Sequence, residues 1–111
     1  KPVIVQFAKG DMTVPNPTSS AIVRAGDLAD RATYFRNDLA HAANPAIPKN
    51  PHTFLTNVSS TAGAPYAIGA QLQIATFFQS FGTLVIDPDA AGPVFEVPIV
   101  GPLPETTNYI P

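Results

Sequence analysis

Residues 2–8, with the sequence PVIVQFA, form an almost unbroken apolar run that limits the folds open to this chain. The run is rich in residues that favour extended strands. A strand without alternating polar and apolar residues is typical of a mostly parallel sheet that is covered on both faces. The sequence therefore predicts an α/β fold.

A helix and a second strand are predicted to follow this run. Residues 9–16 form a loop, and Asn16 with Pro17 is typical of a helix N-cap followed by the first helical position. The spacing of apolar residues then predicts an amphipathic helix over residues 18–29. Residues 32–37 are predicted to form a short strand. The predicted apolar side chains of the helix are Ile22, Ala25, Leu28 and Ala29.

Residues 38–65 are rich in Pro, Asn, Ser and Thr and predict an irregular segment, apart from a helical turn over residues 38–43. A loop of this length in a compact domain is usually functional or mobile. Residues 66–81 then return to a helical pattern, with Gly82 predicted as the C′ residue. The predicted packing face of this long helix consists of Ile68, Leu72, Ala75 and Phe78, and it is widened by Ile74, Phe77 and Phe81.

The last part of the chain has a different composition. Short strands are predicted over residues 83–86 and 94–100, on either side of a turn, and a Pro-rich extended tail completes the chain. We therefore divide the sequence into residues 1–82, which carry the α/β pattern, and residues 83–111, which form an extended β and Pro-rich tail.

Composition excludes several classes of function. The 111 residues suffice for one small domain, and 45% hydrophobic with 13% charged residues is typical of a folded core. A net charge of −2 and six scattered basic residues argue against a nucleic-acid partner. The absence of Cys excludes disulfides, thiolate metal sites and thiol nucleophiles. No cofactor is indicated, and no apolar run reaches the roughly 20 residues of a transmembrane helix.

Two polar residues in the predicted loops are the candidates for acid–base catalysis. Asp11 lies in residues 10–15 (GDMTVP), directly after the first strand, and His52 lies in residues 51–54 (PHTF) of the long loop. Imidazole is the side chain whose pKa suits a base near neutral pH. A carboxylate on a rigid turn at a strand end can orient such a base and stabilise its charged form.

The order of strand, acid-bearing loop, helix, strand, histidine-bearing loop and long helix resembles the C-terminal third of an α/β-hydrolase. In that family a small residue and Asp precede a Val-Pro pair, as in residues 10–15, and a histidine loop resembling residues 51–54 precedes the final helix. The resemblance covers residues 2–81 and is greatest to bacterial serine esterases and lipases. It implies that Asp11 and His52 are the acid and the base of a Ser-Asp-His triad.

The nucleophile that this resemblance implies is not present in the sequence. It requires a serine in a G-x-S-x-G turn, and the nearest match, Ser80, has Phe78 where the first Gly is needed. Because the family order is serine, acid, histidine, the serine is expected upstream of Lys1 or on a companion polypeptide. We therefore interpret the chain as an excised or cleaved piece that is inactive alone. Its expected partners are an ester or lipid substrate and either that companion polypeptide or further copies of itself, and a secreted or cell-surface location is favoured.

Plainer interpretations of the same residues stay open. Asp11 alone is typical of an Asx-turn or cap, and His52 of a solvent-facing loop histidine. His41 is the reserve base and Asp38 the reserve acid. Further carboxylates are expected on a solvated helix end (Asp27 and Asp30) or in a plain turn that could otherwise form a calcium loop (Asp87 and Asp89). An aromatic cluster is expected in the core, with a substrate-binding wall as the alternative; it consists of Phe77, Phe78 and Phe81.

Three functions are consistent with these observations. The first is the acid–base part of a serine ester hydrolase, which predicts that Asp11 and His52 lie within hydrogen-bonding distance. The second is a non-catalytic relative or protein-interaction module that keeps the hydrolase outline, in which the two residues lie far apart or the upstream segment lacks G-x-S-x-G. The third is a β-rich binding domain that recognises its ligand through residues 94–111, and it requires the last strands to be central in the sheet.

Overall fold

The computed structural model describes residues 2–111, which form a small α/β domain around a three-stranded mixed sheet. The strands are β1 (Val5–Ala8), β2 (Ala32–Phe35) and β3 (Phe95–Glu96), in the spatial order β1-β2-β3. β1 and β2 are parallel, with Val5 opposite Ala32, whereas β3 runs antiparallel to β2. The predicted α/β class is therefore present.

Three helices connect the strands. They are α1 (Thr18–Ala25), which lies between β1 and β2, α2 (Asn37–Ala43), which follows β2 directly, and α3 (Ala64–Gln79). Two short 3₁₀ turns lie at Ala29–Arg31 and Phe54–Thr56. Within residues 2–111, none of these helices has the length and apolar character needed to cross a membrane.

Both faces of the sheet are covered, as the unbroken apolar run predicts. Phe7 and Tyr34 point to one face, where they pack with Val23 of α1. Their neighbours Ala8 and Phe35 point to the opposite face and pack against Ala70 and the aromatic rings around it. Because successive side chains of a strand alternate between faces, each short strand contributes to two separate clusters of buried residues.

α3 is attached to the sheet by a buried polar network. Gln73 is fully buried, and its amide oxygen accepts hydrogen bonds from Gln6 of β1 at 2.6 Å and Thr33 of β2 at 3.0 Å. Its amide nitrogen donates to the hydroxyl of Thr33 at 2.7 Å and to the carbonyl of Ile86 at 2.6 Å. The network joins four segments, and it makes the buried glutamine favourable because its polar atoms are paired.

The strands are shorter than predicted. β1 occupies Val5–Ala8 instead of residues 2–8, and β2 ends at Phe35 because Asn37 already begins α2. The predicted helical turn at residues 38–43 is part of that helix. Residues 83–86 form no strand, and of residues 94–100 only Phe95–Glu96 pair with the sheet. Proline at positions 93 and 98 lacks the N–H that a longer ladder requires.

The predictions for α1 were wrong in three respects. The helix ends at Ala25 instead of residue 29, because Gly26 is its C-cap and Asp27 adopts a positive φ of 51°. Asn16 does not cap it; the residue is buried, and its amide donates to the carbonyl of Ala8 at 3.3 Å. The buried side chains of α1 are Ser20 and Val23, whereas Ile22 is 59% exposed.

The C-terminus of α3 is a Schellman motif shifted by one residue from the prediction. Phe81 is the C′ residue, with a φ of 54°, and Gly82 follows it. The N–H of Gly82 donates to the carbonyl of Phe77 at 2.8 Å, and the N–H of Phe81 donates to that of Phe78 at 3.1 Å. Gly82 also has a positive φ and lies against Pro2, where a Cβ atom would clash.

The packing face of α3 differs from the predicted one. The helix buries Ala67, Ala70, Gln73 and Phe77, of which only Phe77 was predicted. The residues of the predicted central face are exposed, Ile68 by 57%, Leu72 by 58% and Phe78 by 70%, with Ala75 also at the surface. No residue of α3 is charged, so hydrophobic periodicity could not distinguish its two faces.

Candidate active site

Asp11 lies in a tight turn directly after β1. Its Oδ1 atom accepts hydrogen bonds from the backbone N–H groups of Thr13 at 2.8 Å and Val14 at 2.9 Å. The preceding Gly10 has a φ of 90°, which favours glycine, and a Cβ there would lie 3.0 Å from Ile110. We call residues 10–15 the acid turn. Its backbone fixes the carboxylate, as the Asx-turn interpretation predicts.

His52 lies in the loop between α2 and α3. The buried Asn37 anchors this loop because its amide donates to the carbonyls of Pro48 at 2.9 Å and Lys49 at 3.2 Å. Pro51 is buried beside the histidine. We call residues 48–53 the histidine loop. Its two prolines restrict the backbone on either side of Asn50.

The structure brings the two predicted side chains into contact. The Nδ1 atom of His52 lies 3.1 Å from Oδ2 and 3.2 Å from Oδ1 of Asp11. Because a carboxylate only accepts hydrogen bonds, this contact places the proton of a neutral imidazole on Nδ1. Among residues 2–111 nothing forms a hydrogen bond with Nε2, and the His52 side chain is 40% exposed. The second ring nitrogen is thus free to accept a proton at the surface.

The carboxylate of this pair is held in its charged form. Burial raises the pKa of Asp11, but hydrogen bonds from Val14, His52 and Thr13 outweigh burial and lower the pKa below its ordinary value. The Asp11 side chain is only 15% exposed. Near neutral pH the histidine therefore faces a partly buried, ionised carboxylate.

The topology explains why residues so far apart in sequence meet. β1 and β2 are parallel, so both strands end at the same edge of the sheet. The acid turn follows β1, and α2 with the histidine loop follows β2. The carboxyl edge of parallel strands is where ligand sites are commonly found in α/β folds.

The reserve candidates are committed to other contacts. Nδ1 of His41 lies 2.6 Å from the carbonyl oxygen of Ile47 and must donate its proton there. Asp38 pairs with Lys9 at 3.0 Å and with Arg36 at 2.8 Å. Burial raises the pKa of Asp38, but its hydrogen bonds with these two cations bring the pKa down to about 2. Both reserve residues thus stabilise the fold.

Other candidate residues lie away from the site. Asp27 and Asp30 are exposed and precede β2, at the opposite edge of the sheet from Asp11. Ser80 caps α3, since its hydroxyl donates to the carbonyl of Phe77 at 3.0 Å. Within residues 2–111 none of these groups forms a hydrogen bond with His52.

The acidic turn near the end of the chain holds no cluster suited to a metal. Asp87 and Asp89 lie close together, and across residues 2–111 no group of three or more His, Asp or Glu side chains could hold a metal ion. Burial, followed by the hydrogen bond with Asp89, raises the pKa of Asp87 to about 6. The turn is closed by hydrogen bonds of its own, including that from Val94 N–H to Asp89 at 2.9 Å.

The expectation that the aromatic cluster lies in the core is correct only for Phe77, which is 5% exposed. Phe78 and Phe81 are 70% and 89% exposed. The cluster lies next to Pro2, before the start of β1, whereas Asp11 follows the end of that strand. These rings therefore lie at the edge of the sheet opposite the Asp11–His52 pair.

Three asparagines near the site were missed by the sequence reasoning. Asn37 anchors the histidine loop, Asn50 links it to the acid turn, and Asn108 accepts a hydrogen bond from Gly10 N–H at 3.4 Å. The position of Asn50, two residues before His52, is a signal for an Asx-turn. No local pattern indicates Asn37 or Asn108, whose partners lie far away in the sequence.

A cavity of about 30 Å³ lies beneath the histidine loop. Its walls include Phe35, Phe54 and Tyr66, together with Asn50. This volume suits one or two water molecules and is far too small for an acyl chain.

In comparisons with known proteins, no family model, curated protein or solved structure matches this chain.

Proposed function

We propose that this chain supplies the acid and the base of a serine ester hydrolase, with Asp11 as the orienting carboxylate and His52 as the proton carrier. The contact between Nδ1 of His52 and Oδ2 of Asp11, at 3.1 Å on a side chain that is 40% exposed, is the observation that carries the proposal. Nε2 of this ring is the atom that a serine hydroxyl must reach. The resemblance to α/β-hydrolases of the bacterial esterase and lipase type gives the reaction class.

In this mechanism His52 moves one proton in each half-reaction. Nε2 removes the proton of the serine hydroxyl while the serine oxygen attacks the acyl carbonyl. Nε2 then gives that proton to the departing alcohol as the acyl–serine ester forms. In the second half Nε2 removes a proton from water, which attacks the acyl–serine, and returns it to the serine oxygen as the acid is released. Asp11 stabilises the imidazolium throughout and keeps its own negative charge.

The serine and the oxyanion hole come from polypeptide outside residues 2–111 in this proposal. Two observations support a companion polypeptide. No hydroxyl of the described residues bonds to His52, and β1 is paired on one edge only, with β2. An open strand edge presents unpaired N–H and C=O groups that can pair with another chain. We propose that the open edge of β1 receives a strand of the part that carries the serine.

A non-catalytic interaction module is the second candidate, and the exposed apolar side chains of α3 favour it. The third possibility, recognition through a central C-terminal sheet, loses its basis because β3 is a two-residue strand at an edge.

Substitution of the proposed base distinguishes the first two candidates. In the natural full-length protein, assayed with short- and long-chain nitrophenyl esters, we expect His52→Ala to lower kcat by about 10³-fold or more, because the base is needed in both half-reactions. His41→Ala is the matched control and should retain activity, since His41 contacts only Ile47 among the described residues. Fluorophosphonate labelling of the wild type would locate the serine. Full activity of His52→Ala, or absence of ester turnover in the wild type, would exclude the proposal.

A further inference from the structure

Asn50 joins the acid turn to the histidine loop through a single oxygen atom. Its Oδ1 accepts a hydrogen bond from the backbone N–H of Met12 at 3.1 Å and another from the backbone N–H of His52 at 3.3 Å. Met12 is the residue directly after Asp11. One amide oxygen therefore contacts the backbone next to the acid and the backbone of the base.

The two loops have few other connections. Among residues 2–111, hydrogen bonds join the acid turn and the histidine loop at two places, the Asn50–Met12 bond and the Asp11–His52 pair itself. The carboxylate of Asp11 already accepts the N–H groups of Thr13 and Val14. The N–H of Met12 is a further donor of this turn, and Asn50 supplies its acceptor.

The loop that carries Asn50 is itself anchored to the sheet. Asn37, which is buried after β2, holds the carbonyls of Pro48 and Lys49. The carbonyl of Lys49 also lies close to Gly10, since a Cβ at Gly10 would be 3.2 Å from its oxygen. The histidine loop therefore links the acid turn to the end of β2.

From this geometry we infer that Asn50 is a positioning residue, which sets the distance between Asp11 and His52 and thereby keeps the imidazole in its Nδ1–H form. The inference rests on the proposed hydrolase function for its effect on turnover. It goes beyond that function because the sequence pattern of a Ser-Asp-His triad does not include this residue. Asn50 forms no hydrogen bond with the ring of His52, and in this inference it acts through the two backbones.

Loss of the hydrogen bonds of Asn50 should change the distance between Asp11 and His52 more than the stability of the domain. Asn50 is exposed, so water can replace its oxygen as the acceptor for both N–H groups. Water does not hold the two loops at a fixed separation, and a displacement of about 1 Å in a catalytic group can lower a rate by about 100-fold. We therefore expect a local loosening of the pair without unfolding.

The test compares Asn50→Ala with Asn50→Asp, which keeps an acceptor oxygen at the same position. Asn44→Ala is the matched control, because Asn44 also accepts one backbone N–H, that of Ala46 at 3.0 Å, but has no bond to the acid turn. The first measurement is NMR of the chain with a ¹⁵N-labelled imidazole, together with hydrogen exchange at the Met12 amide. The second is kcat and KM for ester hydrolysis by the natural full-length protein.

We expect Asn50→Ala to increase the Nε2–H form of His52, to accelerate exchange of the Met12 amide by about 10-fold or more, and to lower kcat by about 10- to 100-fold with KM within about 2-fold. Asn50→Asp should restore all three values, and Asn44→Ala should match the wild type. An unchanged tautomer and Met12 exchange in Asn50→Ala would overturn the inference, as would a loss of kcat that Asn50→Asp fails to restore. If His52→Ala keeps full activity, the proposed function fails separately, and the NMR measurement still decides whether Asn50 holds the loops together.

Discussion

At the scale of single residues, the Asp11–His52 pair is defined by backbone groups. The acid turn supplies two N–H donors to Oδ1 of Asp11, and the imidazole of His52 lies within 3.2 Å of both carboxylate oxygens. An exposed ion pair between flexible side chains contributes little, because holding both side chains in place costs entropy. Here the carboxylate is fixed by its turn before the histidine binds it, and this preorganisation is what catalysis requires.

Asp87 provides a residue-scale prediction on pH. Its pKa of about 6 lies above the ordinary value of 3.8, so folding favours its protonated form. The stability that this residue contributes is therefore complete below about pH 4 and is lost as the pH rises through about 6. Asp87→Asn, which stays neutral and keeps the acceptor for the Asp89 N–H, should raise the unfolding midpoint by about 4 °C at pH 7.5.

Thermal unfolding followed by circular dichroism between pH 4 and pH 8 checks this expectation. The difference between Asp87→Asn and the wild type should shrink as the pH falls from 7.5 to 4. Asp30→Asn serves as the control, because Asp30 is an exposed carboxylate far from Asp89 in the fold. A difference that stays constant with pH would contradict the role assigned to Asp87.

At the scale of elements, α3 is placed by one buried glutamine more than by an apolar stripe. Gln73 joins α3 to both parallel strands and to the segment that leads toward β3. The helix is apolar on all sides, so hydrophobic burial alone would allow several rotations about its axis. Only one rotation pairs the amide of Gln73 with Gln6 and Thr33. The polar network therefore selects the rotation.

Gln73→Leu should destabilise the domain by about 2 to 3 kcal/mol, because it leaves the hydroxyl of Thr33 and the carbonyl of Ile86 without their partner. Gln79→Leu at the exposed end of the same helix, where the side chain forms no hydrogen bond within residues 2–111, should change stability by less than about 0.5 kcal/mol. Urea unfolding of both variants measures the difference. Equal effects of the two substitutions would show that the network does not determine the packing of α3.

At the scale of the whole molecule, the sheet is covered on both faces while α3 still exposes apolar side chains. Phe77 is packed and 5% exposed, whereas its neighbour Phe78 is 70% exposed. The centroids of the two rings lie 5.7 Å apart, and the rings are in a T-shaped arrangement. Substitutions of these two residues therefore probe the inner and outer sides of the same helix.

Phe77→Ala should cost about 3 kcal/mol of stability, as expected for removal of a buried ring. Phe78→Ala should cost about 1 kcal/mol or less, since it removes mainly the edge contact with Phe77. Guanidinium unfolding at several protein concentrations checks both values. A cost for Phe78→Ala that approaches that of Phe77→Ala and rises with protein concentration would show that the outer side is buried in an assembly.

Local sequence patterns determined much of the architecture. The apolar run at residues 2–8 and the order of strands and helices predicted an α/β domain, because backbone preferences and burial periodicity act over a few residues. Asp11 and His52 were selected by the resemblance of residues 10–15 and 51–54 to the acid turn and the histidine loop of an α/β-hydrolase. Their contact is present in the structure, and their catalytic role is a prediction.

The tertiary structure alone decided which side of α3 is buried and how the two loops are held together. A helix without charged residues has no preferred inner face until Gln73 finds its partners in β1 and β2. Asn50 and Met12 are 38 residues apart, so no local pattern can indicate their hydrogen bond. Local preferences select secondary structure, whereas pairing of buried or distant polar groups depends on the positions of the whole chain.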